Sequence, residues 1–303
     1  MLPTLVLVTV FVFGIMRLMP GDPATVQLGD EATLAQVAAL KEQLGLDRPA
    51  AEQYFKWAAS ILQGNFGNSF ISGRSIVSEI RNRAPVSGEL GVLAIFGSLC
   101  LALPFGIVSA IRPESTTDYV SRMVTVAGIA VPSYALATLL FVMPAVWFQW
   151  SPPVPYQPPW ENPLSNLLQL MFPVLSLTAS LAAVTARMTR STLLNVMRED
   201  YMRTAFSKGL REREVVVRHA LKNALLPVIT VVGNQLPVLI GGTVITETLF
   251  DLPGMGTFLF GALGQRDYPV IQGVLLVAAL AVLLVNLMID FLYASLDPRI
   301  RFS

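Results

Sequence analysis

Apolar positions in this chain gather into blocks far longer than a strand or a surface helix needs. Counted from one charged residue to the next, five uncharged runs stand out: 90–111 (22 residues), 123–160 (38), 162–186 (25), 223–246 (24) and 268–289 (22). At about 1.5 Å per helical residue, roughly 20 residues cross a hydrocarbon layer about 30 Å thick, so each run predicts a membrane-spanning helix. The longest run needs trimming. Its far end, SPPVPYQPPW (151–160), is too rich in proline to stay helical, and the helix is predicted to stop between Trp147 and Trp150. A sixth apolar stretch, LPTLVLVTVFVFGIM (2–16), ends in RLMPGDP (17–23), where two prolines and a glycine force a turn. It has neither a basic leader nor a small-residue cleavage pattern before Pro20, so it reads as a first spanning helix lacking its cytoplasmic beginning rather than as a signal peptide.

Composition agrees with that pattern: 53% of residues are hydrophobic, 14% are charged and the mean hydropathy is +0.60. The basic residues then orient the chain. Residues 187–222 carry nine Lys or Arg, whereas 149–165 and 247–268 have only Arg266 between them. The positive-inside rule places 187–222 in the cytoplasm, and six spans leave both termini there. Between the first two spans, residues 22–87 are expected outside. Leu34, Val37, Leu40 and Leu44 recur at helical spacing, and Pro49 suits the first turn of a second helix through Tyr54, Trp57 and Ile61. Two roles fit these half-apolar helices: lying at the membrane interface or over the bundle, and docking a soluble partner.

Enzyme chemistry finds few tools here. His219 is the only histidine and Cys100 the only cysteine, so no His/Cys zinc set can assemble, and HExxH is absent. Cys100, amid leucines in mid-span, reads as a small buried hydrophobe. A serine nucleophile would have to use His219 as its base, within the basic segment. No GxxxxGK[ST] occurs, so any ATP used by a process involving this chain is bound by another subunit.

The basic segment has internal organisation. Residues 203–227, RTAFSKGLREREVVVRHALKNALLP, carry six Lys or Arg around Gly209. Glu199 and Asp200 favour the start of a short helix, Lys208 sits at its end, and Gly209 suits a left-handed cap before Arg211–Asn223 feeds the next span. A solvated basic loop would satisfy the charge rule as well, but a short helix between two long ones projects as a unit. A push on its tip moves both spans.

This arrangement resembles the coupling loop of ABC-type import permeases, whose motif is Glu-Ala-Ala, three residues, then Gly. Ala205 and Gly209 match, while Arg203 and Thr204 replace the Glu and first Ala. The departure is similar to that of the peptide and nickel importer branch, whose DYxRTAxxKGL is matched by Asp200, Tyr201, Arg203, Thr204, Ala205, Lys208, Gly209 and Leu210. RHALKNALLPVI (218–229), ETLFDLPGMG (247–256) and LYASLDPRIR (292–301) resemble the same branch. PGDPA (20–24), LGLDRP (44–49) and GNFGNSF (64–70) resemble the first of its two paired permeases, the DppB or OppB type. Relatives of this type start with a basic stretch before the first span, which this chain lacks: either the true start lies upstream or the first helix is short.

The resemblance implies an all-α integral membrane protein with six transmembrane helices and an ABC type I importer-like permease fold. The expected organisation is a first helix over 1–19, an extracytoplasmic segment over 20–88 and a five-helix permease core over 89–303, with the coupling loop at about 187–222. It implies a multi-pass protein of a bacterial-type inner membrane that binds no cofactor itself. A second homologous permease (DppC or OppC type), two ABC ATPases that bind ATP and magnesium, and an extracytoplasmic substrate-binding protein are the implied partners, with no role for nucleic acid. The eight motif residues, Asp200 to Leu210, are the expected ATPase-coupling site. The implied cargo is a short peptide, with nickel chelates or another small solute as the alternative and a secondary carrier as a remote one.

Gly233, Pro237, Gly241 and Gly242 interrupt the fifth span; they allow close helix packing or a bend at a gate. Glu247, where that span leaves the membrane, faces either the translocation path or solvent. Gly241, Gly242 and Glu247 are therefore the candidate gate or pathway residues. Arg17 and Asp290 lie near span ends, where they snorkel or cap. No charge is securely mid-bilayer, which leaves an ion relay without a place.

Overall fold

A computed structural model describes residues 2–18, 23–29 and 32–296. The PGD of the 20–24 motif and the end of LYASLDPRIR, with Arg299 and Arg301, lie outside the described residues. The helices are, in order, α1 Leu2–Leu18, α2 Pro23–Leu28, α3 Leu34–Leu44, α4 Ala50–Leu62, α5 Ile76–Ile111, α6 Thr116–Ala130, α7 Ser133–Phe148, α8 Pro163–Met197, α9 Asp200–Ser207, α10 Glu212–Glu214, a π-helical turn Val215–Ala220, α11 Leu221–Leu249, α12 Met255–Gln265 and α13 Tyr268–Leu296. No strand occurs among the described residues.

Among the described residues, four helical stretches are long and apolar enough to cross a membrane: α5, α8, Glu212–Leu249 and Tyr268–Phe291. The α6 and α7 pair is apolar enough for a crossing only when taken together, and a 94° bend at their junction makes it either a broken span or a re-entrant loop; α1 is a shorter apolar helix. The 38-residue run thus becomes two helices rather than one straight span. Pro132 explains the break: its ring disfavours helical backbone at Val131, which is extended (ψ 118°). The far end agrees with expectation, since α7 stops at Phe148 and Gln149 takes a left-handed cap (φ 51°).

The chain divides into two compact units. The first comprises residues 1–87 and 253–284. Its core gathers Met16, Ile76, Ala262, Tyr268, Val270, Ile271 and Val274, flanked by Phe66, Phe70, Ile80 and Phe258. Buried Asp267 accepts hydrogen bonds from the Ser69 hydroxyl and the Phe70 amide (3.1 Å), pinning loop 64–75 beside this core. Thr33 and Gln36 form a capping box at the start of α3, and Gly45 ends it in the left-handed region. From α4, Tyr54 packs edge-on and Trp57 tilted against Phe13 of α1, with centroids 5.5 and 5.8 Å away, while Arg17 lies over the same ring and donates to Gln53. The α4 aromatics therefore fasten α4 to the first helix. A cleft of about 500 Å³ opens nearby, lined by Arg17, Arg48, Lys56 and Trp57 among others. Arg48 and Lys56 both lie on Glu52 (2.6 and 3.0 Å), which Arg48 foremost holds below the usual carboxylate range, so much of the cleft's charge is already paired.

The second unit, 88–252 and 285–303, is organised around α8. Half of the apolar stretch of α8 is buried, against 22% for α5, which makes α8 the central helix. It packs on α6, α7 and α11. Small residues allow this. A Cβ on Gly128 of α6 would lie 2.9 Å from Ala183 Cβ, and one on Gly106 of α5 would lie 2.8 Å from the Ala186 carbonyl oxygen. The outer faces stay apolar, with Val92 and Phe96 of α5 two-thirds exposed, as suits contact with lipid or a membrane partner. Cys100 is exposed on α5, not buried as its apolar neighbours suggested. An outward-facing position in a spanning helix is as apolar as a core one, so composition alone does not separate them.

Candidate coupling site

The segment after α8 folds as the charge and glycine pattern predicts. α8 ends at Met197, Glu199 takes the N-cap position of α9 without a side-chain capping bond, and Lys208 closes the helix (φ −78°, ψ 2°) before Gly209 turns left-handed (φ +78°). What holds α9 in place is a pair of residues three apart. Met202 is fully buried and Ala205 nearly so, in a core with Ala110 of α5, Leu193 of α8, Val215 and Ala220 of the π turn, and Ala224 of α11; Leu210 is half-buried beside it. The opposite face carries Asp200, Arg203, Thr204, Ser207 and Lys208, all exposed. Arg203 and Asp200 approach to 3.7 Å at 81% and 97% exposure, a pairing that solvent screens and a partner can easily displace. Tyr201 is also exposed, its hydroxyl accepting from Asn223 Nδ2 of α11 at 2.9 Å.

The eight motif residues thus divide in two. Asp200, Tyr201, Arg203, Thr204 and Lys208 are displayed, Gly209 shapes the exit, and Ala205 and Leu210 anchor. Met202, the strongest anchor, was not singled out from the sequence, although its place three before Ala205 is the inward signature.

The same end of this unit holds a polar cluster that sequence reading also missed. Asp118 of α6 has no exposed surface, yet accepts from Ser109 of α5, from the Glu114 amide at 3.0 Å, and from Arg190 of α8 through Nε and Nη2 at 2.8 Å each. At the other end, the proline-rich loop 149–162 is bound down by side chains. Gln169 Nε2 donates to the carbonyls of Pro153 and Pro155, and the Tyr156 hydroxyl donates to Glu89 at 2.6 Å. Burial, and next the Glu89 carboxylate, push the Tyr156 phenol well above its ordinary value of 10.0. The phenol therefore stays protonated at neutral pH, and its stabilising bond is lost only as pH climbs beyond the normal tyrosine range. Tyr156→Phe should lower the purified chain's unfolding free energy by about 1–2 kcal/mol, read as a lower melting temperature; an unchanged melting temperature would mean that the bond contributes nothing.

The candidate pathway residues also separate. Glu247 is fully buried rather than solvated. A Cβ on Gly242 would meet Leu177 of α8 at 3.2 Å and one on Gly233 would meet Ile289 at 2.2 Å, so both serve close packing, whereas nothing lies within 4 Å of a Cβ on Gly241. Among the described residues no cluster of His, Cys, Asp or Glu is placed to hold a metal ion.

Comparison with known proteins decides the family. Residues 102–302 match the family described as the binding-protein-dependent transport system inner membrane component, and residues 1–90 match the N-terminal region of such membrane components. The chain belongs to this permease family. Similar curated relatives include the glutathione transport system permease protein GsiC of Pectobacterium atrosepticum, 39% identical, and that of Escherichia coli K12, 37% identical. Each alignment covers all of this chain and 96% of the relative. The similarity places this chain among ABC import permeases, and it does not single out the DppB or OppB type. Its fold is shared with the methionine ABC transporter MetNI in inward-facing conformations (TM-score 0.59, 16% identity, 72% of this chain and 96% of that one). An amino acid ABC transporter with histidines also shares it (TM-score 0.55, 11% identity, 72% and 94%). The permease is a multi-pass membrane component, not a catalytic subunit, and ATP hydrolysis resides in partner subunits.

Proposed function

We propose that this permease forms half of the path by which an ATP-driven importer takes up short peptides, with glutathione the first candidate cargo. The observation that carries the reading is its full-length similarity, at 37–39% identity, to permeases named for glutathione transport. A second homologous permease completes the path, a binding protein delivers cargo from outside, and two ATPases holding ATP and magnesium sit on the cytoplasmic side, where both termini and the basic segment 187–222 face. The exposed face of α9 seats in one ATPase. Arg203 and Lys208 offer cations for charge-assisted hydrogen bonds there, Asp200, Tyr201 and Thr204 complete the contact surface, and the anchors Met202 and Ala205 pass its displacement to α5, α8 and α11. A conformational change follows only if the ATPases hold α9 differently in their open and closed states. Gly241, with open space beside it, and buried Glu247 are the residues of α11 that we assign to the gate or path.

Proteoliposomes holding the whole complex, with its binding protein, should accumulate labelled glutathione or a labelled dipeptide only when ATP is present. Binding-protein-stimulated hydrolysis without uptake of either would discard the peptide cargo and keep the machine. A verified complex that couples ATP to no solute would overturn the importer reading for this chain.

A further inference from the structure

We propose that Asp118 and Arg190 form a positioning clamp that makes α5, α6 and α8 move as one body when α9 is displaced. The proposal rests on the coupling reading of α9 and names residues outside its motif.

Three observations meet at this point. The first is cost. A carboxylate with no exposed surface is retained only when fully compensated, and Asp118 has that compensation from three directions: Ser109 of α5, the Glu114 amide preceding α6, and the two-pronged guanidinium of Arg190. Arg122 stands 3.6 Å from Oδ2 as a looser fourth partner. A buried pair of this kind is no more stabilising than a well-packed apolar pair, so its distinctive contribution is a fixed geometry among the elements it joins.

The second is placement. Ser109 adjoins Ala110, and Arg190 lies one turn before Leu193; Ala110 and Leu193 are the α5 and α8 members of the core that receives Met202 and Ala205. Thrust from α9 therefore enters the bundle beside the clamp. The third is the close approach around it. A Cβ on Gly106, one turn from Ser109, would collide with Thr189 and Ala186, and Ser121 of α6 donates to the Phe105 carbonyl at 3.3 Å. Helices touching this closely could still slide past one another along smooth surfaces, but a bidentate bond does not tolerate a shift of an ångström.

The test uses the reconstituted transporter, with uptake per ATP hydrolysed measured on a known amount of assembled complex. Arg190→Lys keeps the charge and loses the planar fork; Asp118→Asn keeps the shape and loses the charge. Both should assemble and hydrolyse ATP, while uptake per ATP falls about tenfold, a typical magnitude for coupling between sites. The clamp is overturned if the ratio is unchanged in both variants. It is equally overturned if neither assembles, or if uptake falls only in step with the amount of complex, since the pair then serves folding alone. Gly209→Val in parallel separates the two ideas: if it uncouples and neither clamp variant does, the clamp alone fails, and if it leaves coupling intact, the α9 reading fails.

Discussion

Replacing Gly209 with valine is expected to cut peptide uptake by the assembled transporter about tenfold or more while its ATPases continue to turn over, because α9 would no longer be presented correctly. Gly209 sits at φ +78° with nothing within 4 Å of the position a Cβ would occupy. The penalty is therefore one of backbone conformation and not of crowding. A β-branched residue held in the left-handed region costs on the order of 1–3 kcal/mol, which the chain can avoid by unwinding the end of α9 or re-routing residues 208–212. Either escape shifts Lys208 and the exit of the helix, the part that the coupling proposal seats in the ATPase. Gly209→Asn is the matched control, since asparagine tolerates this region and should retain most uptake. Uptake per hydrolysed ATP, measured for both variants in one reconstituted system, checks the expectation; equal and normal values would show that the helix exit does not matter for coupling.

The largest loss of stability is expected from Gly106→Val. Its Cβ would stand 2.7 Å from Thr189 Cβ and 2.8 Å from the Ala186 carbonyl oxygen, and a backbone carbonyl in the middle of α8 cannot swing away as a side chain can. Relief requires α5 and α8 to separate, which opens their interface along several turns. Overpacking costs about 1–3 kcal/mol where neighbours can adjust, and here they cannot, so the upper end or beyond is expected. Gly233→Ala makes the instructive contrast. Its shortest contact, 2.2 Å, is nominally worse, yet the atom met is the terminal Cδ1 of Ile289, which another rotamer removes. Melting temperatures of the purified variants should fall in the order Gly106→Val, Gly233→Ala, Gly241→Ala, with the last near the unaltered protein. A Gly106→Val variant as stable as Gly241→Ala would show that the close approach of α5 and α8 is dispensable.

Much of this architecture was legible in the residues because lipid leaves few choices. Uncharged runs placed the long helices, the spacing of Leu34, Val37, Leu40 and Leu44 placed α3, and Glu199, Lys208 and Gly209 marked the limits of α9. These are local signals, each carried by side chains within one turn of the feature they create. The 94° bend between α6 and α7 was carried by Pro132 alone, in a run whose later prolines drew attention to its end. Pairings distant in sequence left less trace. Asp118 carries no signal of its own in the sequence and Arg190 is one of nine basic residues in 187–222, since nothing in periodicity says that two positions 72 apart face each other. Cys100 failed for a related reason: in a membrane helix both faces are apolar, and the pattern that separates inside from outside in a water-soluble helix is weak.

The π-helical turn at Val215–Ala220, where the Leu221 amide reaches back to the Val216 carbonyl, holds one residue more than an α-helical turn would. Elsewhere between Glu212 and Leu249, deleting a residue would rotate everything downstream by about 100°, carrying Glu247 off its buried face and Gly242 away from Leu177. At the π turn the same deletion would simply convert wide winding to regular winding, leaving both flanks in register. The join between the α9 segment and the helix beyond it is thus a length buffer, through which a lineage can gain or shed a residue without realigning the faces of α11.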